Sequence, residues 1–277
     1  MLVVTKAKDD FARQLGANVK KYLVRNGVDV EVVEHHPDFN HSTMSPSGQP
    51  YDMIFILGGD GTFISVARHM WKHEIPVLGL NLGRVGFLTE IPLDFWEIQL
   101  GQVLAGGYEM SERLMLEFSV IRGEKEVHSG YAVNDVVISR GTLARLTLLR
   151  LFYGKEAISC LRSDGIIIST PTGSTAYGVS AGGPLIHPSM RAFCVTAICP
   201  FQDTFKSCVL PDTEPIEIHV ESGQTDVHLT EDGQVLHSLE PGDVVQIRAA
   251  KESLHFVELD PLSYFKKLQM KGFLSEC

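Results

Sequence analysis

Five apolar residues, Met53-Ile54-Phe55-Ile56-Leu57, run without a break into Gly58-Gly59-Asp60-Gly61-Thr62, and Phe63, Val66, Ala67, Met70 and Trp71 then recur at helical spacing. A short continuous apolar run closed by glycine reads as a strand buried on both faces, and the pattern behind it as an amphipathic helix. The turn between them sets backbone amides at a helix amino terminus, where partial positive charge collects and no Cβ keeps an anion away. Thr62 is expected to cap that helix. A carboxylate inside an anion cradle opposes phosphate binding, so Asp60 needs a role of its own. Three are open: accepting a proton from an attacking hydroxyl, holding a divalent metal that bridges phosphates, or bonding its own turn backbone. Neither G-x-x-x-x-G-K-[ST] nor G-x-G-x-x-G occurs in the chain, so neither a P-loop nor a Rossmann fingerprint explains the cradle.

The flanking sequence repeats the alternation. Leu2 to Val4 predicts a strand, Phe11, Leu15, Val19, Tyr22 and Leu23 a helix, and Val28 to Val33 and Ile75 to Leu80 further strands, which is the pattern of a parallel α/β sheet. His35 to Pro50 is a polar loop in which His35 and His36 are expected only to be solvated. Beyond Leu114 the runs become β-rich: Met115–Ile121, Val127–Val133, Arg145–Phe152, Gly165–Ser169, Cys194–Ile198, Ile216–Val220 and Val244–Arg248. Turns such as Asp232-Gly233 and Pro241-Gly242 separate them, as in an antiparallel sandwich. A chain of 277 residues is long for a single core. The expectation is an α/β domain with a parallel sheet (1–95 plus 253–277) that carries the glycine turn, and an all-β, sandwich-like domain (96–252). A helical pattern from Leu262 to Phe273 predicts a C-terminal helix packed back on the first domain.

Hydrophobic residues at 44% supply enough apolar surface for two cores, and a net charge of -10 argues against nucleic acid or an anionic membrane as partner. Any phosphate site must then be local. No apolar stretch approaches the roughly 18 residues of a membrane span, and the amino terminus lacks a signal-peptide pattern, so a cytoplasmic protein is expected. Five cysteines without C-x-x-C spacing indicate neither a disulfide framework nor a zinc site.

Two further segments carry chemistry. Asn134-Asp135, expected at the end of a β run, sets an amide beside a carboxylate, a pair suited to vicinal ribose hydroxyls or an adenine edge, though equally to a polar turn. In Arg162-Ser163-Asp164-Gly165-Ile166-Ile167-Ile168-Ser169-Thr170-Pro171-Thr172-Gly173-Ser174-Thr175-Ala176-Tyr177 a buried strand ends in small and hydroxylated residues and one aromatic ring. Such a loop hugs a planar polar ligand, with Tyr177 available for stacking.

The glycine turn resembles a signature shared by NAD kinases, lipid kinases of the diacylglycerol type and, more loosely, phosphofructokinases. Together with Asn134-Asp135, Ser169 to Tyr177, Ala181-Gly182-Gly183-Pro184 and Asp232-Gly233-Gln234, in that order and spacing, the chain resembles the NAD kinase family over nearly its whole length. The resemblance implies transfer of a terminal phosphate from a nucleoside triphosphate, or polyphosphate, to the 2′-hydroxyl of the adenosine ribose of NAD. Asp60 would be the general base and Mg the divalent cofactor. Gly58, Gly59, Gly61 and Thr62 would receive phosphate, Asn134 and Asp135 would hold the dinucleotide, and Asp164 would meet its nicotinamide side. Thr175, Ala176, Tyr177 and Ser180 would line the base pocket, Thr172, Gly178 and Val179 would be further nucleotide-binding residues, and Arg145, Arg162 and Gln234 fall at ligand-facing positions. It also implies a homodimer or homotetramer. Relatives carry Asn-Glu where this chain has Asn134-Asp135, a carboxylate one methylene shorter. They place a histidine after the proline where this chain has Cys199-Pro200-Phe201-Gln202-Asp203. A lipid kinase or a non-catalytic dinucleotide sensor are the alternatives.

Overall fold

The computed structural model describes residues 1–36, 51–83, 86–141, 146–201, 205–221, 226–260 and 263–275. Most of the polar loop before Pro50, Arg145 and Leu262 lie outside them. The chain divides into two compact units, 1–112 with 253–277 and 113–252.

The first unit opens with β1 (Leu2–Lys6), α1 (Asp10–Arg25), β2 (Glu31–His35), β3 (Ile54–Gly58), α2 (Asp60–Met70), β4 (Val77–Asn81), β5 (Ile91–Pro92), α3 (Trp96–Leu104) and β6 (Glu109–Arg113). Asp9 caps α1 by accepting the Ala12 N–H at 3.0 Å. Its buried face is Ala12, Leu15, Gly16, Val19 and Leu23. Phe11, part of the expected stripe, turns outward because the burial arc centres one residue further on. β1, β3 and β4 are buried almost throughout, since helices cover a parallel sheet on both faces.

The second unit contains β7 (Leu116–Arg122), β8 (Lys125–Ala132), β9 (Asp135–Arg140), β10 (Thr147–Tyr153), β11 (Glu156–Ser163), β12 (Gly165–Ser169), α4 (Tyr177–Ser180), β13 (Ala192–Ile198), β14 (Cys208–Pro211), β15 (Ile216–Val220), β16 (Val227–Glu231), β17 (Val235–Leu239) and β18 (Val244–Ala249). Two antiparallel six-stranded sheets, β11-β10-β15-β18-β7-β8 and β14-β13-β12-β9-β16-β17, share one core of inward-facing residues that includes Phe118, Ile138, Leu149, Ile166, Phe193, Ile218 and Ile247. This is a β-sandwich built on period-two patterning. Gly165 is required where β12 crosses β9, because a Cβ there would meet the Ile138 carbonyl oxygen at 2.4 Å.

The chain then returns to the first unit as β19 (Leu254–Glu258) and α5 (Ser263–Met270). The first sheet runs β2-β1-β3-β4-β19-β6, with β5 beside β4. Its order reverses direction between β1 and β3, the place where open α/β sheets bind ligands beyond the carboxyl ends of their strands. The glycine turn leaves β3 at that end. α5 packs on this unit through buried Leu268 and through Lys267, which donates to the Phe87 carbonyl at 3.2 Å and pairs with Glu90.

Three expectations need correction. Residues 96–112, expected in the β-rich domain, fall in the first unit, because β6 joins the first sheet and draws α3 with it. His35 is not a solvated loop residue: it ends β2 half-buried with Nε2 at 2.9 Å from Ser65 Oγ of α2. Asp135 begins a strand rather than ending one, with Asn134 between β8 and β9.

The sandwich sheets end on one side in β8 and β17, and there His128 and His237 stack face to face, with centroids 4.4 Å apart and planes within 7°. Neither Nε2 has a hydrogen-bond partner among the described residues. Burial, and then the neighbouring His237, hold His128 below its ordinary 6.5. The unfolded chain therefore takes up this proton first, so the stability the stack contributes is complete above about 6.5 and is lost as pH falls. Replacing His128 with Phe, which keeps a ring on Phe118 and His237, should narrow the difference in Tm between pH 8 and pH 5.5. An unchanged difference in thermal melts would show that the shift at His128 does not contribute to stability.

Candidate active site

In the first unit, α2 starts directly after Gly59, which is its N-cap, so Asp60 is its first residue and Thr62 lies inside the first turn instead of capping it. Thr62 packs back on the strand exit: a Cβ at Gly58 would meet Thr62 Cβ at 2.7 Å. The carboxylate of Asp60 does not bond its own turn. Oδ2 accepts the Phe87 N–H at 2.8 Å and Oδ1 the Leu88 N–H at 3.1 Å, both from the segment that follows β4. Gly86 makes this approach possible, because a Cβ there would lie 2.0 Å from Asp60 Oδ1. Two N–H bonds leave further lone pairs of the carboxylate open to a hydroxyl proton. A Cβ at Gly59 or Gly61 would meet nothing within 4 Å. Since neither has a positive φ, the folded chain itself does not demand glycine at either position. What their missing side chains leave is access to the backbone at a helix amino terminus.

The second unit holds another constellation. Asp232, Gly233 and Gln234 connect β16 to β17, with Glu231 paired to Val235, φ of 50° and 63° at Asp232 and Gly233 and a Gln234 N–H to Glu231 carbonyl bond of 2.9 Å. Two successive left-handed residues suit an Asp-Gly pair, since Asp and Gly tolerate positive φ. From that tip the Asp232 carboxylate accepts the Val133, Asn134 and Asp135 N–H groups at 3.0, 2.7 and 3.1 Å. On the other side, Thr170 Oγ1 donates to the Val133 carbonyl at 2.7 Å and accepts the Gly173 N–H at 2.9 Å. A Cβ at Gly173 would sit 2.1 Å from the Asn134 carbonyl oxygen, so the Thr-Pro-Thr-Gly-Ser-Thr turn lies flat on the Asn134 backbone. Ser174 Oγ, which donates to the Pro171 carbonyl at 2.7 Å and accepts the Ile186 N–H at 3.0 Å, closes the loop. Thr175 Oγ1 donates to the Thr172 carbonyl at 3.2 Å, so three of the four hydroxyl residues from Thr170 to Thr175 are structural.

The structure places the other expected residues in distinct settings. Tyr177 begins α4 and is 46% exposed. Thr172, Thr175, Ala176 and Val179 are half-buried, Ser180 is exposed and Gly178 is buried. Asp164 forms a two-point ion pair with Arg140 at 2.9 and 3.1 Å. Arg162 is exposed over the Phe201 ring, 5.4 Å from its centroid, and Gln234 is exposed on the hairpin. Gln202 and Asp203 lie outside the described residues, and Cys199 takes a left-handed φ of 45°. Among the described residues no group of three His, Cys, Asp or Glu side chains could hold a metal ion. Sequence reasoning missed the Gly86-Phe87-Leu88 segment. Its signal was a second glycine-bearing exit, Gly83 to Gly86, after a buried strand.

Asp135 is the electrostatic anomaly. It is 4% exposed. Burial, and then the Asp232 charge, push its carboxyl up to about 7, against the pull of the Tyr177 N–H. A carboxyl raised in the folded state is a cost that grows as pH climbs from the unfolded value, 3.8, to about 7 and then levels off. Asp135→Asn should therefore raise Tm by a few degrees at pH 8, with the gain shrinking toward pH 4. Equal gains at both pH values would contradict this origin.

Two family models match, the ATP-NAD kinase N-terminal domain over residues 1–108 and the ATP-NAD kinase C-terminal domain over residues 133–259. An NAD kinase of Nitratidesulfovibrio vulgaris (strain Miyazaki F) is 43% identical over 276 residues, covering 100% of this chain and 97% of that protein. An NAD kinase of Geobacter sulfurreducens is 43% identical over 220 residues, covering 79% of this chain and 78% of that protein. Among solved structures, yeast NADH kinase complexed with NADH superposes with a TM-score of 0.83 at 24% identity, over 100% of this chain and 88% of that one. An NAD kinase from Archaeoglobus fulgidus in complex with ATP superposes with a TM-score of 0.77 at 23% identity, over 98% and 97%. These two likenesses bear on the fold, whereas the domain models and full-length relatives bear on the family: the chain with Asp60 at its helix start and Asn134-Asp135 beneath its hydroxyl-rich loop belongs to the NAD kinases.

Proposed function

We propose that this NAD kinase family member moves the γ-phosphoryl group of a nucleoside triphosphate onto the 2′-hydroxyl of the adenosine ribose of NAD, giving NADP, with Asp60 as general base. The observation that carries the assignment is the Asp60 carboxylate, held by the Phe87 and Leu88 N–H groups but not consumed by them. As the ribose oxygen bonds to phosphorus and the bond to the leaving diphosphate breaks, the hydroxyl proton passes to an Asp60 oxygen. Because the carboxylate is oriented beforehand, it needs no rearrangement when the proton arrives. Gly58, Gly59, Gly61 and Thr62 receive phosphate oxygens at the start of α2, where the helix dipole favours negative charge. In the second unit Asn134 and Asp135 hold ribose hydroxyls, and Tyr177 with the residues through Ser180 receives a base. Arg162, Asp164 and Gln234 are further contacts of the dinucleotide in this reading.

The family resemblance implies a divalent cation, Mg. The described side chains do not form a ligand set for one; a cation would enter as part of the triphosphate substrate. Polyphosphate as donor, a homo-oligomeric assembly and a cytoplasmic setting belong to the same proposal. No described helix is long and apolar enough to cross a membrane.

Two variants test it. Asp60→Asn should lower kcat for NADP formation by about 10² to 10⁴-fold while KM for NAD changes only a few-fold. Turnover at the wild-type rate would remove Asp60 from the role. Gly59→Ala introduces a methyl group that meets no protein atom, so its melting curve should match the wild type while KM for the triphosphate rises. A wild-type KM would mean that phosphate does not approach that backbone.

A further inference from the structure

We propose that Asp232, at the tip of the β16–β17 hairpin, is a positioning residue for the Asn134–Asp135 pair, fixing that turn through three successive backbone N–H groups and acting on Asp135 with its own negative charge. This rests on the reading of Asn134 and Asp135 as dinucleotide contacts.

Convergence is the first argument. The N–H groups of Val133, Asn134 and Asp135 end on one carboxylate, at 3.0, 2.7 and 3.1 Å, and the Asp232 N–H returns a bond to the Asp135 carbonyl at 2.9 Å. Asn134 lies between two strands, so without this acceptor its N–H groups would have no ladder partner on that side. Hydrogen bonds to an ionised acceptor are the stronger kind, and three in a row fix the backbone from which both side chains project.

Charge is the second. The groups around Asp135 leave Asp232 as its main electrostatic neighbour. Across β12 stands uncharged Ser169, and beyond it Cys194, whose thiol burial pushes up and keeps neutral. From α4 comes the Tyr177 N–H. Glu231, buried on β16, pairs with Val136 and so leaves the strand on the opposite face. After burial, the Asp232 charge is the larger reason that the Asp135 carboxyl sits at about 7. Near neutral pH, Asp135 thus changes between an acid that donates one hydrogen bond and a carboxylate that accepts from ribose hydroxyls.

Asn tolerates the left-handed conformation that Asp232 adopts, φ 50°, so Asp232→Asn keeps the hairpin while removing the charge and one acceptor oxygen. NAD kinetics from pH 5.5 to 9, with ¹³C-carboxyl titration of Asp135 assigned through Asp135→Asn, test the proposal. KM for NAD should rise about tenfold with a smaller change in kcat, the Asp135 midpoint should fall below the wild-type value, and the acid limb of kcat/KM should move down with it. Asp232→Gly, which also accepts that φ, should shift the midpoint in the same direction. An Asp135 midpoint that stays at the wild-type value in both variants, or activity lowered by one factor at every pH, would overturn the proposal. If the midpoint falls as expected while wild-type protein forms no NADP at any pH, the electrostatic inference stands and the kinase reading fails.

Discussion

A carboxylate can serve as a stationary base only if the protein, and not mobile water, supplies its hydrogen bonds. Asp60 meets this condition through the N–H groups of Phe87 and Leu88, delivered by the chain leaving β4. The rest of the first unit follows from that requirement. β3 and β4 must be adjacent and parallel so that both exits lie at one end of the sheet, and their pairing, Ile54 with Val77 through Gly58 with Asn81, achieves it. Gly86 must lack a side chain. The Lys267 ammonium of α5, bound to the Phe87 carbonyl and to Glu90, holds the same segment from its other side. A terminal helix far along the chain is thereby coupled to the position of Asp60.

The second unit solves a related problem with opposite economy. There Asn134, between β8 and β9, interrupts the strand ladder, and the backbone donors of Val133, Asn134 and Asp135, shielded from water, need an acceptor. An Asp-Gly hairpin supplies one, because the left-handed turn that reverses β16 into β17 also points its carboxylate at them. The arrangement sets two acids close together, and one of them, Asp135, carries the cost. The short Asp135 side chain keeps its carboxyl close to the strand, where the residue is 4% exposed.

Most of the architecture was legible in the residues. Buried parallel strands and sandwich strands announce themselves by apolar runs and by alternation, and β12 was read with both ends as observed. The missed elements include β9 and β16, which carry an apolar run and an alternation, and others with neither pattern. β11 is exposed along most of its length and begins Glu156-Ala157, and β6 consists of polar residues whose strand character comes from a place at the sheet edge. Thr62 looked like a cap because a hydroxyl near a helix start commonly is one, yet Gly59 takes that place and Thr62 covers Gly58.

What the sequence by itself determined is the chemistry available: one carboxylate among glycines at a helix start, an amide beside an acid, and a hydroxyl-rich loop, in an order specific enough to name the family. Tertiary structure alone decided which of these groups are occupied and in what electrical state. The partners of Asp60 lie 27 and 28 residues away in the chain and those of Asp232 nearly a hundred. Hydrogen bonds and burial between such distant segments depend on strand order and register, which local propensity does not encode.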